Sequence, residues 1–448
     1  MPQAQPKQPE LKRSLGLAAL TIYGIGNMLG AGIYGLVGKA AGEMGNMVWL
    51  GFAASMIAAA LTGLSYASLG SRYPKAAGAA YITYRAFNFS MLSYVVGLAV
   101  MMSGLTSMAA TSQVFANYAH EIFTNVPALL IAVAFIVALS IVNFIGMRES
   151  AWVNAVCTLV EAGGLLLIIA VGMRYWGSVD YLDATSLKNP TGDLSISLIL
   201  SGAVLTFYSF IGFEDLLNVS EEVHDPQRTF PIALLSALGI ATVIYMAVCI
   251  TAVSVVPHDQ LAQASGPLVE VVRIAAPWIP PILFTGIALF AVTNTALLNY
   301  IMGSRLAYGM AKQGLLPAFL GRVHSKRQTP HVAILVLMAI VLGLIVVGDI
   351  KALASATSLL LLGSFTVVNL SLVRLKCRAS EPKGGFEIPL WVPIAGALVS
   401  VGFIVNRVLE GIHTGELTPI YIAAGIIMVI VALYLILSPK AIIETTSE

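Results

Sequence analysis

Charge is what this chain has least of: Asp, Glu, Lys and Arg make up 10% of 448 residues, against about a quarter in ordinary soluble domains. Neither a basic tract nor an aromatic-basic array occurs, so no nucleic acid partner is expected. Cysteine is scarce too. Cys157, Cys249 and Cys377 are scattered, without the spacing of a disulfide framework or a metal site. The six histidines, His120, His224, His258, His324, His331 and His413, fall in predicted loops or at span ends. A membrane-embedded enzyme would need intramembrane histidines, metal ligands or a nucleophile–base pair, so that class is disfavoured. Nothing resembles a filter repeated around a pore, which argues against a channel.

What is abundant is apolar surface. The chain is 58% hydrophobic with a mean hydropathy of +0.87, more than a soluble domain of this size can bury, so it reads as a polytopic membrane protein. At roughly 20 apolar residues per crossing, about twelve spans are expected. They cover residues 15–37, 47–69, 81–118, 128–146, 151–173, 195–219, 231–255, 281–310, 333–347, 353–373, 392–408 and 420–437. The first apolar run is too long for a signal peptide and lacks a small-residue cleavage site, so it is expected to remain as a spanning helix. With the amino terminus inside, 18 of the 24 Lys and Arg residues fall in inside segments and 6 outside. That bias places both termini in the cytoplasm.

Two spans are irregular. The first carries Tyr23-Gly-Ile-Gly-Asn-Met-Leu-Gly-Ala-Gly-Ile-Tyr at its centre. Glycine costs about 1 kcal/mol relative to alanine inside a helix, and the cluster Gly30, Ala31, Gly32 invites a break. The alternative is that these small residues only let a neighbouring helix approach closely. The sixth span contains Thr206-Phe-Tyr-Ser-Phe-Ile-Gly-Phe-Glu-Asp. A charge at mid-span costs about 2.5–3.5 kcal/mol on insertion scales, so Glu214 and Asp215 are expected to face protein or water. A helix end already near the interface would explain them as well, and fits Asp215 better than Glu214. Interruptions at corresponding positions of two five-helix halves point to an inverted-repeat transporter with a midplane site.

At this level of detail the chain resembles the amino acid–polyamine–organocation superfamily of secondary transporters. The resemblance rests on Gly30-Ala-Gly-Ile, Tyr73-Pro-Lys-Ala-Ala-Gly-Ala-Ala-Tyr and Phe210-Ile-Gly-Phe-Glu. It continues through Glu221-Glu-Val-His-Asp-Pro-Gln-Arg-Thr-Phe-Pro and Arg305-Leu-Ala-Tyr-Gly-Met-Ala-Lys-Gln-Gly-Leu-Leu-Pro. The pattern is most similar to bacterial amino acid permeases related to cationic amino acid transporters. It implies an all-α, LeuT-like fold of five plus five helices with helices 1 and 6 broken, and two further helices. The corresponding segments are a cytoplasmic tail (1–14), a first repeat (15–176), an extracellular loop (177–194), a second repeat (195–373), a cytoplasmic loop (374–390), helices 11 and 12 (391–438) and a cytoplasmic tail (439–448). The implied function is transport of an amino acid or amine across the plasma membrane, the inner membrane in a bacterium.

The resemblance also implies a site. N–H groups near Gly30, Ala31 and Gly32 would take the substrate carboxylate, as the positive end of a half-helix favours an anion. The carbonyls of Met28, Tyr208 and Ile211 would meet its ammonium. Phe207, Tyr208 or Phe210 would form an aromatic lid, with ordinary packing as the alternative for each. Glu214 matches a family acid tied to gating. Ser103, Thr106 and Ser107 on span 3 and Ser355, Thr357 and Ser358 on span 10 can face a side-chain pocket or serve as interhelical glue. No dominant acidic pocket is legible; a small or neutral substrate leads, with a cationic amino acid or amine open because Glu161, Glu214 and Asp215 are acidic.

Span 5 departs from the family. By the resemblance, many sodium-independent relatives carry a lysine about fifteen residues after the Gly-Met-basic-Glu-Ser start; counting from Gly146, that position is Glu161. At about 1.5 Å rise per residue it lies about 15 Å from either end of the span. A carboxylate at that depth is protonated, or paired with a small cation or cationic ligand. A site that alternates in exposure to water can load and release a proton, which makes Glu161 the candidate coupling residue. Sodium is the alternative, with Thr293, Asn294 and Thr295 on span 8 as oxygen ligands. A permanently protonated, merely structural Glu161 is the third possibility. No cofactor beyond the coupling ion is expected.

Overall fold

The protein is represented by a computed structural model. It describes residues 16–437 and 439 except 75–77, 121–122, 146–147, 187–188, 313, 325–326 and 328, with backbone alone at 31, 148–153, 155, 218–219, 221–222 and 312. The tails expected at 1–14 and 439–448 therefore lie, Pro439 apart, outside the described residues, as do parts of the motifs at 73–81, 146–150 and 305–317.

The described chain is helical. Span 1 is two pieces, α1 (Leu17–Met28) and α2 (Ala31–Met44), and span 2 is α3 (Val48–Arg72). α4 (Gly78–Phe87) precedes span 3, α5 (Ser90–His120), and spans 4 and 5 are α6 (Ala128–Ile145) and α7 (Arg148–Gly172). Span 6 begins as α8 (Ile196–Phe207) and continues through 3-10 turns at Tyr208–Phe210 and Glu214–Glu222. Span 7 is α9 (Pro226–Val255), followed by the short α10 (His258–Gln263) and α11 (Pro267–Ala275). Spans 8 to 12 are α12 (Pro281–Lys312), α13 (His331–Val347), α14 (Ile350–Lys376), α15 (Trp391–Thr414) and α16 (Thr418–Leu437). Among the described residues, ten runs are long and apolar enough to cross a membrane; Leu17–Met28 and His331–Val347 are shorter. Gly32–Arg72 counts as one such run although it holds the second half of span 1 and all of span 2.

The packing is symmetric between the two fives. α3 lies against α9 and α5 against α12, so span 2 meets span 7 and span 3 meets span 8. The pairs α1·α9 and α3·α8 exchange under the same shift of five spans, as do α5·α14 and α7·α12. This is the pairing of an inverted five-helix repeat. α15 and α16 lie outside it, packed on α14 and on α3, α8 and α5.

The structure differs from the expected spans in two places. The run expected at 81–118 is two helices, because Asn88 takes a left-handed conformation (φ 51°) that ends α4. Asparagine tolerates that region better than most residues, so an unbroken apolar run conceals the corner. Beyond span 7, α10 and α11 cover one end of the bundle, where Leu261 and Ala262 of α10 meet Gly38 and Gly42 of α2. Lys39 donates to Ala262 O at 2.9 Å nearby. At that end Lys351, at the start of α14, joins Glu43 of α2 at 2.7 Å and Glu416 of the α15–α16 loop at 2.8 Å.

The opposite end is tied by the segment between α14 and α15. Glu387 there pairs with Arg72 at 2.5 Å and Lys376 at 2.5 Å. Glu381 accepts from Tyr73 at 2.5 Å and Arg85 at 2.9 Å. Partial burial pushes the Glu387 carboxyl up, but the bonds from Arg72 and Lys376 outweigh it and hold the pKa at about 2. Burial, reinforced by the bond to Glu381, pushes the Tyr73 hydroxyl up to about 12.

Candidate substrate and coupling site

The break in span 1 follows from its glycines. α1 ends at Met28, Leu29 turns extended (φ −64°, ψ 137°), and Gly30 takes φ 147° before α2 begins at Ala31. Only glycine occupies that region without strain, and a Cβ at Gly30 would also stand 2.0 Å from Thr295 Oγ1. Span 6 breaks at the same depth: Ile211 is extended and Gly212 has φ 120°.

The two breaks are locked together. A Cβ on Gly32 would meet Ser209 Cα at 2.5 Å, so the second half of span 1 touches the backbone of span 6. Asn27 Nδ2 donates to Gly212 O at 3.5 Å. The Tyr245 hydroxyl, from α9, reaches both Met28 O and Ser209 O, the latter at 2.7 Å. Carbonyls freed by breaking a helix at membrane depth must find protein donors or water, and this tyrosine serves one from each break. Glu214 has the matching role for an N–H group, its Oε2 accepting from Gly212 N at 2.9 Å.

Between the breaks lies a cavity lined by Asn27, Met28, Gly32, Ser107, Tyr208, Ile211, Gly212, Asp215, Thr295, Leu298 and Asn299. A second cavity shares Ile211, Asp215 and Asn299 with it and adds Ser103, Glu214 and residues of α5 and α12. It extends from the first toward the end where α5 begins and α12 finishes.

Of the lid candidates only Tyr208 lines the cavity, its hydroxyl 2.9 Å from Ser107 Oγ and 3.3 Å from Thr111 Oγ1. Phe207 turns away, edge-on to Phe365 and Phe403 at 6.1 and 6.4 Å between centroids. Phe210 packs edge-on to Tyr245 at 5.3 Å. Ser107 and Ser103 line the first and second cavities, whereas Thr106 and Thr357 hydrogen-bond each other across α5 and α14 at 2.6 Å. Ser355 and Ser358 are buried on α14 and line neither cavity. Ala31 is described by its backbone alone.

Behind the break sits a second polar group. Glu161 is fully buried on α7, and Asn294 Nδ2 of α12 donates to its Oε2 at 3.4 Å. The same amide reaches Thr158 Oγ1 at 3.4 Å, which in turn donates to Asn154 Oδ1 at 3.3 Å. Glu161 Oε1 and Asn294 Oδ1 are buried with no partner among the described residues. Tyr34, four residues past Gly30, donates to the Glu161 carbonyl at 2.9 Å. Thr293 bonds back onto its own helix at Leu289 O (2.6 Å) and does not join this group, while Thr295 lines the substrate cavity. Asn294 and Thr295 are adjacent, so α12 touches Glu161 with one residue and the break in span 1 with the next.

Sequence reasoning missed Tyr245 and Asn299. Tyr245 lies within the apolar run of span 7, and only the folded pairing of α9 with α1 reveals its position. Asn299 bonds Ser107 Oγ at 3.2 Å and stands five residues beyond Asn294, a spacing that carries no motif.

Comparison with known proteins agrees with this architecture. Residues 15–433 match the family model described as "Amino acid permease". An uncharacterized transporter of Mycobacterium tuberculosis is 32% identical over 405 residues, 87% of this chain and 89% of that protein. A branched-chain amino acid permease of Bacillus subtilis is 26% identical, with coverage of 87% and 86%. The mouse protein named cationic amino acid transporter 4 is 28% identical over 84% of this chain and 61% of its own length. Broken spans around a cavity, ten membrane-length apolar runs and a family match over nearly the whole chain converge: this is a multi-pass membrane transporter, not an enzyme, and it belongs to the amino acid permease family.

Proposed function

We propose that the protein is a proton-coupled secondary transporter that carries an amino acid by alternating access. The observation that carries this reading is the pairing of the cavity at the two breaks with the buried carboxylate of Glu161 directly behind it. In this reading the substrate carboxylate lies against N–H groups near Gly30, Ala31 and Gly32, at the positive start of α2. Its ammonium faces carbonyl oxygens at the breaks, Met28, Tyr208 and Ile211. Tyr208 closes the cavity on the side of α5. Glu214 holds the turn at Gly212 and gates the way between the cavities.

Coupling follows from burial. A dry, charged Glu161 with one unpartnered oxygen is costly, so the closed protein holds the residue neutral or with a cation. When the bundle rocks and water reaches the pocket, the proton leaves. Asn294 and Thr295 link that event to the break at Gly30. Sodium is the second reading, and the unpartnered oxygens of Glu161 and Asn294 favour it in the same way.

The charge bias of the loops supports an orientation with both termini in the cytoplasm, and we read the protein as residing in the plasma membrane, the inner membrane of a bacterium. In that orientation the end joined by Lys351 and Glu43 faces outside, and the two cavities line up toward the cytoplasm. That geometry suits an inward-facing carrier. Uptake of radiolabelled amino acids into proteoliposomes under imposed gradients tests the reading. Accumulation driven by a proton gradient and not by sodium supports it; accumulation driven only by sodium selects the second reading.

A further inference from the structure

We propose that Asn299 is a specificity-determining residue, and that its side-chain oxygen selects amino acids with an uncharged hydrogen-bond donor, a hydroxyl or an amide, close to Cα. This deepens the reading of the cavity between the breaks as the amino acid site and rests on it.

Asn299 stands in the wall common to both cavities, together with Ile211 and Asp215. Both hydrogens of its amide are spent inside the protein, one on Ser107 Oγ at 3.2 Å and one on Thr295 O at 3.0 Å. Thr295 O is a carbonyl oxygen and can only accept, so the nitrogen must lie on that side and the amide has a single orientation. Its oxygen is turned the other way, toward Gly104 of α5, where an added Cβ would stand 3.4 Å from it. Gly104 lines the second cavity, and none of the described residues donates to Asn299 Oδ1. The other polar residue of the common wall, Asp215, is engaged within the protein. Asn299 therefore offers a fixed, open acceptor at the boundary of the two spaces.

Its position along α12 sets the length of chain that reaches it. Asn299 follows Thr295 by one helical turn, about 6 Å, and Thr295 stands against Gly30, beside the proposed head-group site. That interval suits a short side chain, about two or three bonds beyond Cα with one hydrogen bond of about 2.8 Å at its end. The resulting preference has a definite sign. A dry apolar wall favours valine over threonine, because burying a hydroxyl without a partner costs free energy. A wall holding an open acceptor reverses the order, since valine covers Asn299 Oδ1 and leaves it unpaired whereas threonine donates to it.

Threonine and valine have nearly the same shape and differ by a hydroxyl in place of a methyl group, so they compare the two kinds of wall directly. The reconstituted protein is assayed by counterflow of radiolabelled alanine, with threonine and valine as competitors. Threonine is expected to compete at least about tenfold more strongly than valine, the cost of one buried acceptor left unpaired. In Asn299→Leu, similar in size but without the oxygen, that advantage should vanish or pass to valine. Should this variant lose exchange, heat stabilisation of the purified variant by threonine and by valine reads the same ratio. Equal competition, or a valine advantage, in the unmodified protein overturns the proposal without disturbing the amino acid reading, and needs no variant. A threonine advantage that survives in Asn299→Leu overturns it as well. If no amino acid exchanges at all, the reading of the cavity fails and the proposal fails with it.

Discussion

The side-chain amide of Asn294 donates to Oε2 of Glu161 at 3.4 Å, while the hydroxyl of the next residue, Thr295, stands against Gly30, whose φ of 147° suits glycine alone. A buried carboxylate and the substrate cavity are thus two faces of a single helical turn of α12. In the proposed mechanism, movement of the break at Gly30 would displace Thr295, and with it the amide that contacts Glu161. The account of coupling rests on this short path.

Tyr245 should be the least replaceable side chain outside the cavity. Tyr245→Phe keeps the ring that packs on Phe52 and Phe210 but removes the hydroxyl shared by Met28 O and Ser209 O. A buried carbonyl left without its donor costs about 1–3 kcal/mol. The variant should melt several degrees lower in detergent, and its KM for substrate should rise more than kcat falls, because one of the carbonyls it frees, Met28 O, belongs to the proposed substrate site. An unchanged melt and KM would show that the hydroxyl is dispensable.

Gly32 tests the contact between the breaks. A methyl group there lies 2.5 Å from Ser209 Cα, a backbone atom that cannot swing aside. Overpacking of this kind costs about 1–3 kcal/mol. Gly32→Ala should lose at least about tenfold in kcat/KM, because the two broken segments must separate to admit it. Gly163→Ala, where an added methyl meets nothing within 4 Å, is the control and should transport normally.

The segment between α14 and α15 should respond to acid. Glu387 has its pKa held down at about 2 in the folded protein, below the ordinary carboxylate value. A depressed folded value means that its stabilising contribution is complete above the unfolded pKa, near 4.3, and is lost as pH falls from there toward about 2. Partial exposure of the Glu387 side chain to water keeps the effect small. Melting temperature against pH should fall below about pH 4.5 in the parent, and the fall should be shallower in Glu387→Gln. Parallel curves for the two proteins would show that other carboxylates govern acid stability.

Much of this was legible in the chain. Twelve apolar runs are a direct consequence of bilayer thickness, and the breaks announce themselves through Gly30 and Gly212, where a helix has no reason to place glycine beside polar residues. Glu161 stands out because ionised groups are rare at mid-span. What sequence could not supply is direction. Phe207 and Tyr208 are adjacent aromatics of equal promise, yet one faces Phe365 and the other the cavity, a choice made by packing from α14 and α5. The corner at Asn88 was hidden for the opposite reason: its neighbours Phe87 and Phe89 continue the apolar pattern straight across it.

The most direct test of the central claim compares the parent protein with Glu161→Gln in proteoliposomes, scoring both amino acid exchange and net accumulation under a proton gradient. Glutamine keeps the size and the contact with Asn294 but cannot release a proton. The account predicts that the variant exchanges substrate at near the parental rate and no longer accumulates it when the gradient is imposed. Accumulation equal to that of the parent would contradict the account, and Glu161 would then be a structural residue.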